Sequence, residues 1–194
     1  MTSLETITDV PDLSGLVRLT HHRWVIPLVA AVGRGNRFAA IQHELDVPRQ
    51  TLHRAIEAAE AMDLVLRNPG YGHPLRPEFV LAPDGERILP DCVDLTAQAR
   101  TTGAAELMSR KWSLPVLAAL RTADRPLRFR DLAVWLPTVS PGALTRSLDD
   151  LLAGGWVRRP VDAERPSRSP YVLGTAAARI AERAATLARR SVSP

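Results

Sequence analysis

The sequences RWVIPLVAAV (residues 23–32) and KWSLPVLAAL (residues 111–120) decide the architecture of this chain, because they are two versions of one apolar segment. Each begins with a basic residue and a tryptophan and has proline at the fifth position. Proline is tolerated only in the first turn of a helix, so both segments are predicted to be buried helices. The offset of 88 residues between them is the first sign of an internal repeat.

The correspondence continues along the chain. Further matches follow in the same order at offsets of 91 and 92 residues: Arg37-Phe38 with Arg128-Phe129, Arg54 with Arg146, Arg67 with Arg159, and residues 76–81 with residues 168–173. The offset changes only between predicted helices, where loops tolerate insertions. We interpret the pattern as a duplication and expect two domains, residues 1–95 and residues 96–194.

Each unit has the same predicted elements, which are clearest in the second. Phe129 and Leu132 follow helical spacing, and Ser140-Pro141 then provides a hydroxyl N-cap and a proline at the first position of a new helix. Gly154-Gly155 is expected to end that helix. The inward face of this helix is predicted to consist of Leu144, Leu148, Leu151 and Leu152. Two short strands are predicted at residues 156–159 and 171–173, and a last helix from Thr175 to about Arg190.

A short helix, a turn, a second helix and a hairpin make a winged helix-turn-helix. The predicted fold class is therefore mainly α with small β-hairpins (α+β), with two tandem winged helix-turn-helix domains in a pseudo-two-fold arrangement. The helix after the turn has the width of the major groove, and the loop of the hairpin, the wing, can contact the DNA backbone or the minor groove. Trp24 and Trp112 are predicted to be core residues because they belong to the apolar helices.

The second half resembles the HxlR-type winged-helix transcriptional regulators, and the first half does so more loosely. The resemblance is carried by Lys111-Trp112, Arg128-Phe129, Val139-Ser140, Leu144-Thr145, residues 155–159 and residues 166–173. Family members are usually single-domain homodimers that bind pseudo-palindromic operators. The resemblance therefore implies a fused dimer, a monomer that acts as a pseudo-dimer on double-stranded DNA. Regulators of this group that sense oxidants use a cysteine near the first helix, whereas Cys92 follows the first wing.

The candidate DNA contacts are the polar positions of the two recognition helices and the arginines of the wings. They are Arg49, Gln50, Thr51, His53 and Arg54 in the first helix, Ser140, Gly142, Thr145 and Arg146 in the second, and Arg76, Arg165 and Arg168 in the wings. Arg54 and Arg146 are favoured because they match in the repeat and because arginine pairs with guanine edges or phosphate. The alternative is an ordinary solvated helix face. Arg37 and Arg128 are predicted to contact phosphate or to form a structural salt bridge.

Charge is distributed unevenly between the halves. The chain of 194 residues has a net charge of +4, but residues 1–97 hold 9 arginines against 13 acids, whereas residues 98–194 hold 16 basic residues against 8 acids. A polyanionic partner is compatible with this balance, although a coding bias toward arginine explains the arginine excess equally well. The sequence has no secretory signal and no membrane span, so we expect a cytoplasmic protein associated with the nucleoid.

We expect no catalytic site, no metal site and no cofactor. His21-His22 and His43 lack further ligands at metal spacing, and Cys92 is the single cysteine. The main hypothesis is a sequence-specific transcriptional regulator that acts as a repressor rather than an activator, with any small-molecule effector unknown and further dimerisation left open. The alternative is a winged-helix scaffold that has lost DNA binding and holds a small molecule or a protein, or even performs catalysis, at the seam near residues 84–110.

Overall fold

Local sequence signals account for most helices and hairpins of this protein. The computed structural model describes residues 10–34, 37–68, 78–160 and 169–191. In these ranges the chain is mainly helical and has two small antiparallel hairpins, which confirms the predicted α+β class.

The elements follow the same order in the two halves. Those of the first half are α1 (Ser14–His21), α2 (Val25–Val32), α3 (Phe38–Leu45), α4 (Arg49–Glu60), β1 (Val65–Asn68), β2 (Glu78–Leu81) and α5 (Pro83–Thr102). Those of the second half are α6 (Ala105–Ser109), α7 (Ser113–Ala123), α8 (Phe129–Trp135), α9 (Pro141–Ala153), β3 (Val157–Arg158), β4 (Val172–Leu173) and α10 (Ala178–Ser191), with a 3₁₀ turn at Thr175–Ala177.

Prolines and turn residues lie at several helix boundaries, although α10 begins at Ala178 rather than at the predicted Thr175 and α7 continues to Ala123, past Leu120. Pro27 and Pro115 are each the third residue of their helix, within the first turn, where the backbone N–H has no partner inside the helix. Gly155 has a φ of 69° directly after the end of α9, a conformation that glycine adopts without strain. Asp46 ends α3 with a φ of 49°, so the turn before α4 uses an aspartate in the left-handed conformation.

In each half, one residue that precedes the short helix pairs with the second strand side of the hairpin. In the first hairpin β1 pairs with β2, and in the second β3 pairs with β4, with Val157 opposite Leu173. Single bridges then connect Arg37 to Glu78 and Leu127 to Tyr171. Each hairpin is therefore tied to the start of its helix-turn-helix, α3 or α8.

The two halves share one core. Buried apolar residues form a continuous cluster from Leu13 to Ala188, and α10 packs against both α7 and α5. Helix α1 belongs to the first half but packs against α7 and α10. Gly15 permits this approach, because a Cβ there would lie 2.3 Å from the carbonyl oxygen of Ser191. The expected domain boundary between residues 95 and 96 lies within α5, and the division into two domains stays a prediction.

A buried carboxylate connects α5 to α10. The side chain of Asp91 is 1% exposed, and one oxygen lies 2.9 Å from Arg190 Nη1. Arg183 is 3.8 Å from the other oxygen and also pairs with Asp94 at 3.0 Å. Arg87 adds a hydrogen bond of 3.0 Å to the backbone carbonyl of Arg190. Residues from opposite halves of the chain are thus joined by charge as well as by apolar packing.

Candidate nucleic-acid interface

Helix α9 has one buried and one exposed face. Leu144, Leu148 and Leu151 are buried, as their spacing predicts. The prediction was wrong for Leu152, which is half-buried, whereas Ser147 is buried in its place. Position 147 is three residues after Leu144 and four before Leu151, so it lies at one edge of the inner face, and Leu152 lies at the other edge.

The start of α9 is built as predicted and presents small side chains. Ser140 Oγ accepts a hydrogen bond from the backbone N–H of Ala143 at 3.3 Å, and Pro141 is the first helical residue. The hydroxyl of Thr145 donates to the carbonyl of Pro141 at 3.0 Å. A Cβ at Gly142 would meet nothing within 4 Å, so the helix surface is open there. The O–H of Ser140 and the lone pairs of Thr145 remain available to a ligand.

Arg146 is the exposed cation of this surface. None of the ion pairs among the described residues involves Arg146, and the side chain lies on the face opposite the leucine stripe. Asp150, one turn farther along, forms its ion pair with Arg110 instead. An exposed guanidinium without a carboxylate partner keeps its hydrogen-bond donors for an outside acceptor.

Helix α4 presents a different surface. Pro48 occupies the N-cap position and makes no side-chain capping bond, so this helix lacks the serine cap of α9. The guanidinium of Arg49 lies 5.4 Å from the centre of the Phe38 ring, and the ring of His53 lies 4.8 Å from the same ring. Arg49 and His53 therefore form a cluster with Phe38 at the side of the helix. Of the other three predicted residues, Gln50 and Arg54 are exposed and Thr51 is half-buried.

The wing residues of the prediction are not described by the structure. Arg76, Arg165 and Arg168 lie outside the described ranges. Arginines that sequence reasoning did not select lie in β1 and directly after β3, next to these loops. Arg67 lies 5.6 Å from the ring centre of Phe79, and Arg159 lies 4.7 Å from that of Tyr171.

These two arginine–aromatic pairs occupy matching places in the repeat. Arg67 matches Arg159 and Phe79 matches Tyr171, both at the offset of 92 residues. A guanidinium over an aromatic ring is held there by cation–π attraction, and Nη2 of Arg159 also donates a hydrogen bond to the Tyr171 hydroxyl. The signal was present in the sequence as an arginine and an aromatic residue repeated on neighbouring strands.

The arginines directly before the two short helices, Arg37 and Arg128, differ in what they contact. Arg37 lies 3.6 Å from Glu78, which is an ion pair, and its side chain is 64% exposed. Arg128 donates its backbone N–H to the Asp131 carboxylate at 2.9 Å, which stabilises the start of α8, and its side chain is exposed. Arg37 therefore forms the salt bridge that was one of its two predicted roles. The side chain of Arg128 is exposed, and its contact with phosphate stays a prediction.

The two tryptophans are less buried than expected. Trp24 and Trp112 pack against the core but are half-buried, because each stands at the N-cap of its helix, where the helix meets the surface. The neighbouring cations cover the exposed ring faces, with Arg23 at 4.9 Å and the Lys111 ammonium at 4.7 Å from the ring centres.

The chemistry of the histidines and the cysteine is limited. Within the described ranges, no group of three or more His, Cys, Asp or Glu side chains could hold a metal ion. Partial burial and the nearby His21 and Lys111 charges lower the pKa of His22, which favours the neutral imidazole. Full burial raises the pKa of the Cys92 thiol, so the thiol is protonated at neutral pH. None of the described helices is long and apolar enough to cross a membrane.

A cavity lies at the seam between the halves, in the region that the alternative hypothesis named. Its volume is about 180 Å³, and it is lined by residues of α2, α5 and α6, by Arg23 and Trp24 directly before α2, and by Leu45 at the end of α3. It is separate from the exposed faces of α4 and α9.

Residues 107–190 match the family model described as HxlR-like helix-turn-helix. The match covers less than half of the chain but includes α7, α8, α9, both strands of the second hairpin and nearly all of α10. No curated protein matches the chain. The matched family is one of transcription regulators rather than enzymes, and a helix-turn-helix of this kind implies DNA as the partner. Residues 107–190 are therefore similar to the helix-turn-helix of a family of DNA-binding transcriptional regulators.

Proposed function

We propose that this protein is a sequence-specific transcriptional regulator that inserts α9 into the major groove of double-stranded DNA. The single observation that carries the proposal is the exposed face of α9, inside the region that matches the helix-turn-helix family. That face presents Arg146, which has no carboxylate partner among the described residues, beside an open helix start at Gly142. Small side chains let a helix approach base edges closely, and arginine pairs with the O6 and N7 atoms of guanine.

The second part of the proposal concerns α4. The same order of elements in both halves and the matching pairs Arg67–Phe79 and Arg159–Tyr171 support an origin by duplication. We infer that α4 contacts a second half-site through Arg54, Gln50 and Arg49, about 34 Å along the DNA. The wing arginines Arg76, Arg165 and Arg168 are proposed to bind phosphate or the minor groove next to each half-site.

The two half-sites are proposed to be unequal. Arg49 and His53 lie against Phe38, whereas the corresponding positions of α9 are Pro141 and Thr145. Different side chains contact different base edges, so one chain would bind an asymmetric operator. A protein that covers two successive grooves excludes other proteins from that DNA, so we propose that it acts as a repressor on the nucleoid.

The test is a titration of fluorescent DNA from upstream of the gene, followed by anisotropy at several salt concentrations. Arg146→Ala should weaken binding by about 1–3 kcal/mol, roughly 5- to 150-fold, and relax the preference for one base position. Arg179→Ala is the matched control, because it removes an exposed arginine of α10 outside both recognition helices. Equal affinities for the wild type and Arg146→Ala would remove α9 from the proposed interface.

A second candidate function is supported by the cavity at the seam. The scaffold would then bind a small molecule and have no affinity for DNA, a possibility that a fold alone does not exclude. The same titration separates the two functions, since a chain of this class would show neither binding to duplex DNA nor the salt dependence that phosphate contacts produce.

A further inference from the structure

The cavity between α2, α5 and α6 has the properties of a ligand site. Its volume is about 180 Å³, and its walls are mainly apolar, with Trp24 and Pro27 on one side and Ala99 and Met108 on the other. We propose that it binds a small aromatic monocarboxylate, a single ring that carries one carboxylate group. The proposal concerns a site other than the DNA-binding faces of α4 and α9.

The size of the cavity suits a ligand of one ring. A protein cavity of about 150 Å³ lined by apolar side chains is known to accommodate benzene. The present cavity, at about 180 Å³, has room for one ring and a small substituent. The indole of Trp24 lies in the wall, and aromatic rings stack favourably on such a surface.

The charges at the edge of the cavity select an anion. Arg23 and Arg100 line it, are exposed, and take part in none of the ion pairs among the described residues. The nearest acids on the same helices are engaged elsewhere, Glu106 with Arg110 at 3.7 Å and Asp94 with Arg183 at 3.0 Å. Neither guanidinium thus has a described carboxylate within ion-pair distance, and charge-assisted hydrogen bonds from arginine to a carboxylate are among the strong ones in proteins.

The two hydroxyls in the lining do not alter this preference. Thr96 donates to the carbonyl of Cys92 at 2.7 Å, and Ser109 donates to the carbonyl of Glu106 at 2.8 Å. Both hydroxyl hydrogens are therefore used within the helices, and the arginines are the donors left for a ligand. A neutral or cationic ring of the same size would lack the interaction that the two arginines offer.

The place of the cavity connects it to DNA binding, and this step rests on the proposed function. Leu45 lines the cavity and is the last residue of α3, directly before the left-handed turn at Asp46 and the start of α4. On the opposite wall, α6 follows the turn at Gly103 and precedes α7. A ligand would contact both halves of the chain at once. Since it binds between the elements that support α4 and α9, it would change their relative position and hence the affinity for DNA.

The experiment is a calorimetric titration of the full chain with benzoate, without DNA. Benzyl alcohol and benzylammonium serve as neutral and cationic comparison ligands of similar size. Arg100→Gln should weaken benzoate binding by about tenfold or more, because it removes a hydrogen bond to a charged group. Ala105→Leu fills the cavity from an exposed position of α6 and should abolish binding. Arg125→Gln, an exposed arginine outside the cavity lining, is the matched control and should leave binding unchanged.

Each outcome supports or overturns the site. No binding of benzoate at about 10 mM, a concentration at which even a weak site is occupied, would overturn it. Equal binding by wild type and Arg100→Gln, or equal binding of benzylammonium, would overturn the assignment of an anion. Thermal unfolding of each variant shows whether the variant is folded.

The DNA titration is repeated with saturating benzoate as a separate arm. A change in the Kd for DNA supports the regulatory step, and an unchanged Kd overturns that step alone. A chain that binds benzoate but no DNA keeps the ligand site and refutes the transcriptional regulator. A chain that binds DNA but no benzoate supports the transcriptional regulator and refutes the ligand site.

Discussion

Replacing Arg190 by methionine should destabilise the whole protein, because it leaves a buried carboxylate short of its closest partner. Asp91 is 1% exposed and lies on α5, whereas Arg190 lies on α10, and the atoms Oδ2 and Nη1 are 2.9 Å apart. After the substitution the nearest remaining cation is Arg183, 3.8 Å from Asp91 and already paired with Asp94. Methionine preserves most of the apolar stem of the arginine, so the change isolates the charge.

The magnitude follows from the burial of the pair. Removing one partner of a buried ion pair costs about 3–5 kcal/mol, since the other charge stays buried without compensation. Here Arg183 remains and the Arg190 side chain is 45% exposed, so we expect the lower end of this range, about 3 kcal/mol. For a chain of this size each kcal/mol lowers Tm by about 2–4 °C, which corresponds to a decrease of about 6–12 °C.

The assay is thermal and urea unfolding followed by circular dichroism at neutral pH. Arg189→Met is the control, because Arg189 is the neighbouring exposed arginine, donates a hydrogen bond to Thr186 and forms no ion pair with the described residues. Asp91→Asn and the double variant complete a thermodynamic cycle that isolates the interaction between the two residues. If Arg190→Met and Arg189→Met lower Tm equally, the connection between α5 and α10 does not depend on this pair and the reasoning is refuted.

Three further predictions concern other parts of the structure. Gly15→Ala should destabilise the protein by about 1–3 kcal/mol in urea unfolding, since the added Cβ would lie 2.3 Å from the Ser191 carbonyl oxygen; an unchanged midpoint would show that α1 and α10 do not meet there. Ser140→Ala should cost about 1 kcal/mol through loss of the N-cap of α9, whereas Ser140→Asp should restore it; equal stability of Ser140→Ala and wild type would contradict the cap. The thiol of Cys92 should react with iodoacetamide only after unfolding, because burial raises its pKa. Rapid alkylation of the native protein at neutral pH would refute the burial of this thiol. Since the folded thiol binds its proton more tightly than the unfolded thiol, its contribution to stability is present below the unfolded pKa and decreases as pH rises above it.

The candidate DNA-binding face of α9 was predicted from the sequence because its signals are local. Ser140 followed by Pro141 marks the start of a helix, and leucines at positions 144, 148 and 151 mark its inner face, so Arg146 had to point outward. Leu152 shows the limit of such a pattern. Leu152 and Ser147 lie at opposite edges of the stripe. The spacing does not distinguish them, and the packing of α9 against the rest of the protein decided that Ser147 is more deeply buried than Leu152.

The sequence by itself determined the α+β class, the order of the helices and hairpins and the outer face of α9, because periodicity, caps and turns act between residues a few positions apart. Only the tertiary structure decided that Asp91 pairs with Arg190, 99 residues away, that Arg67 and Arg159 stack on aromatic rings, and that a cavity opens beside Trp24. Many arginines of this chain had the same local signature. Which of them meets a carboxylate, a ring or solvent depends on how distant helices pack, and that packing is set by the shape of the common core.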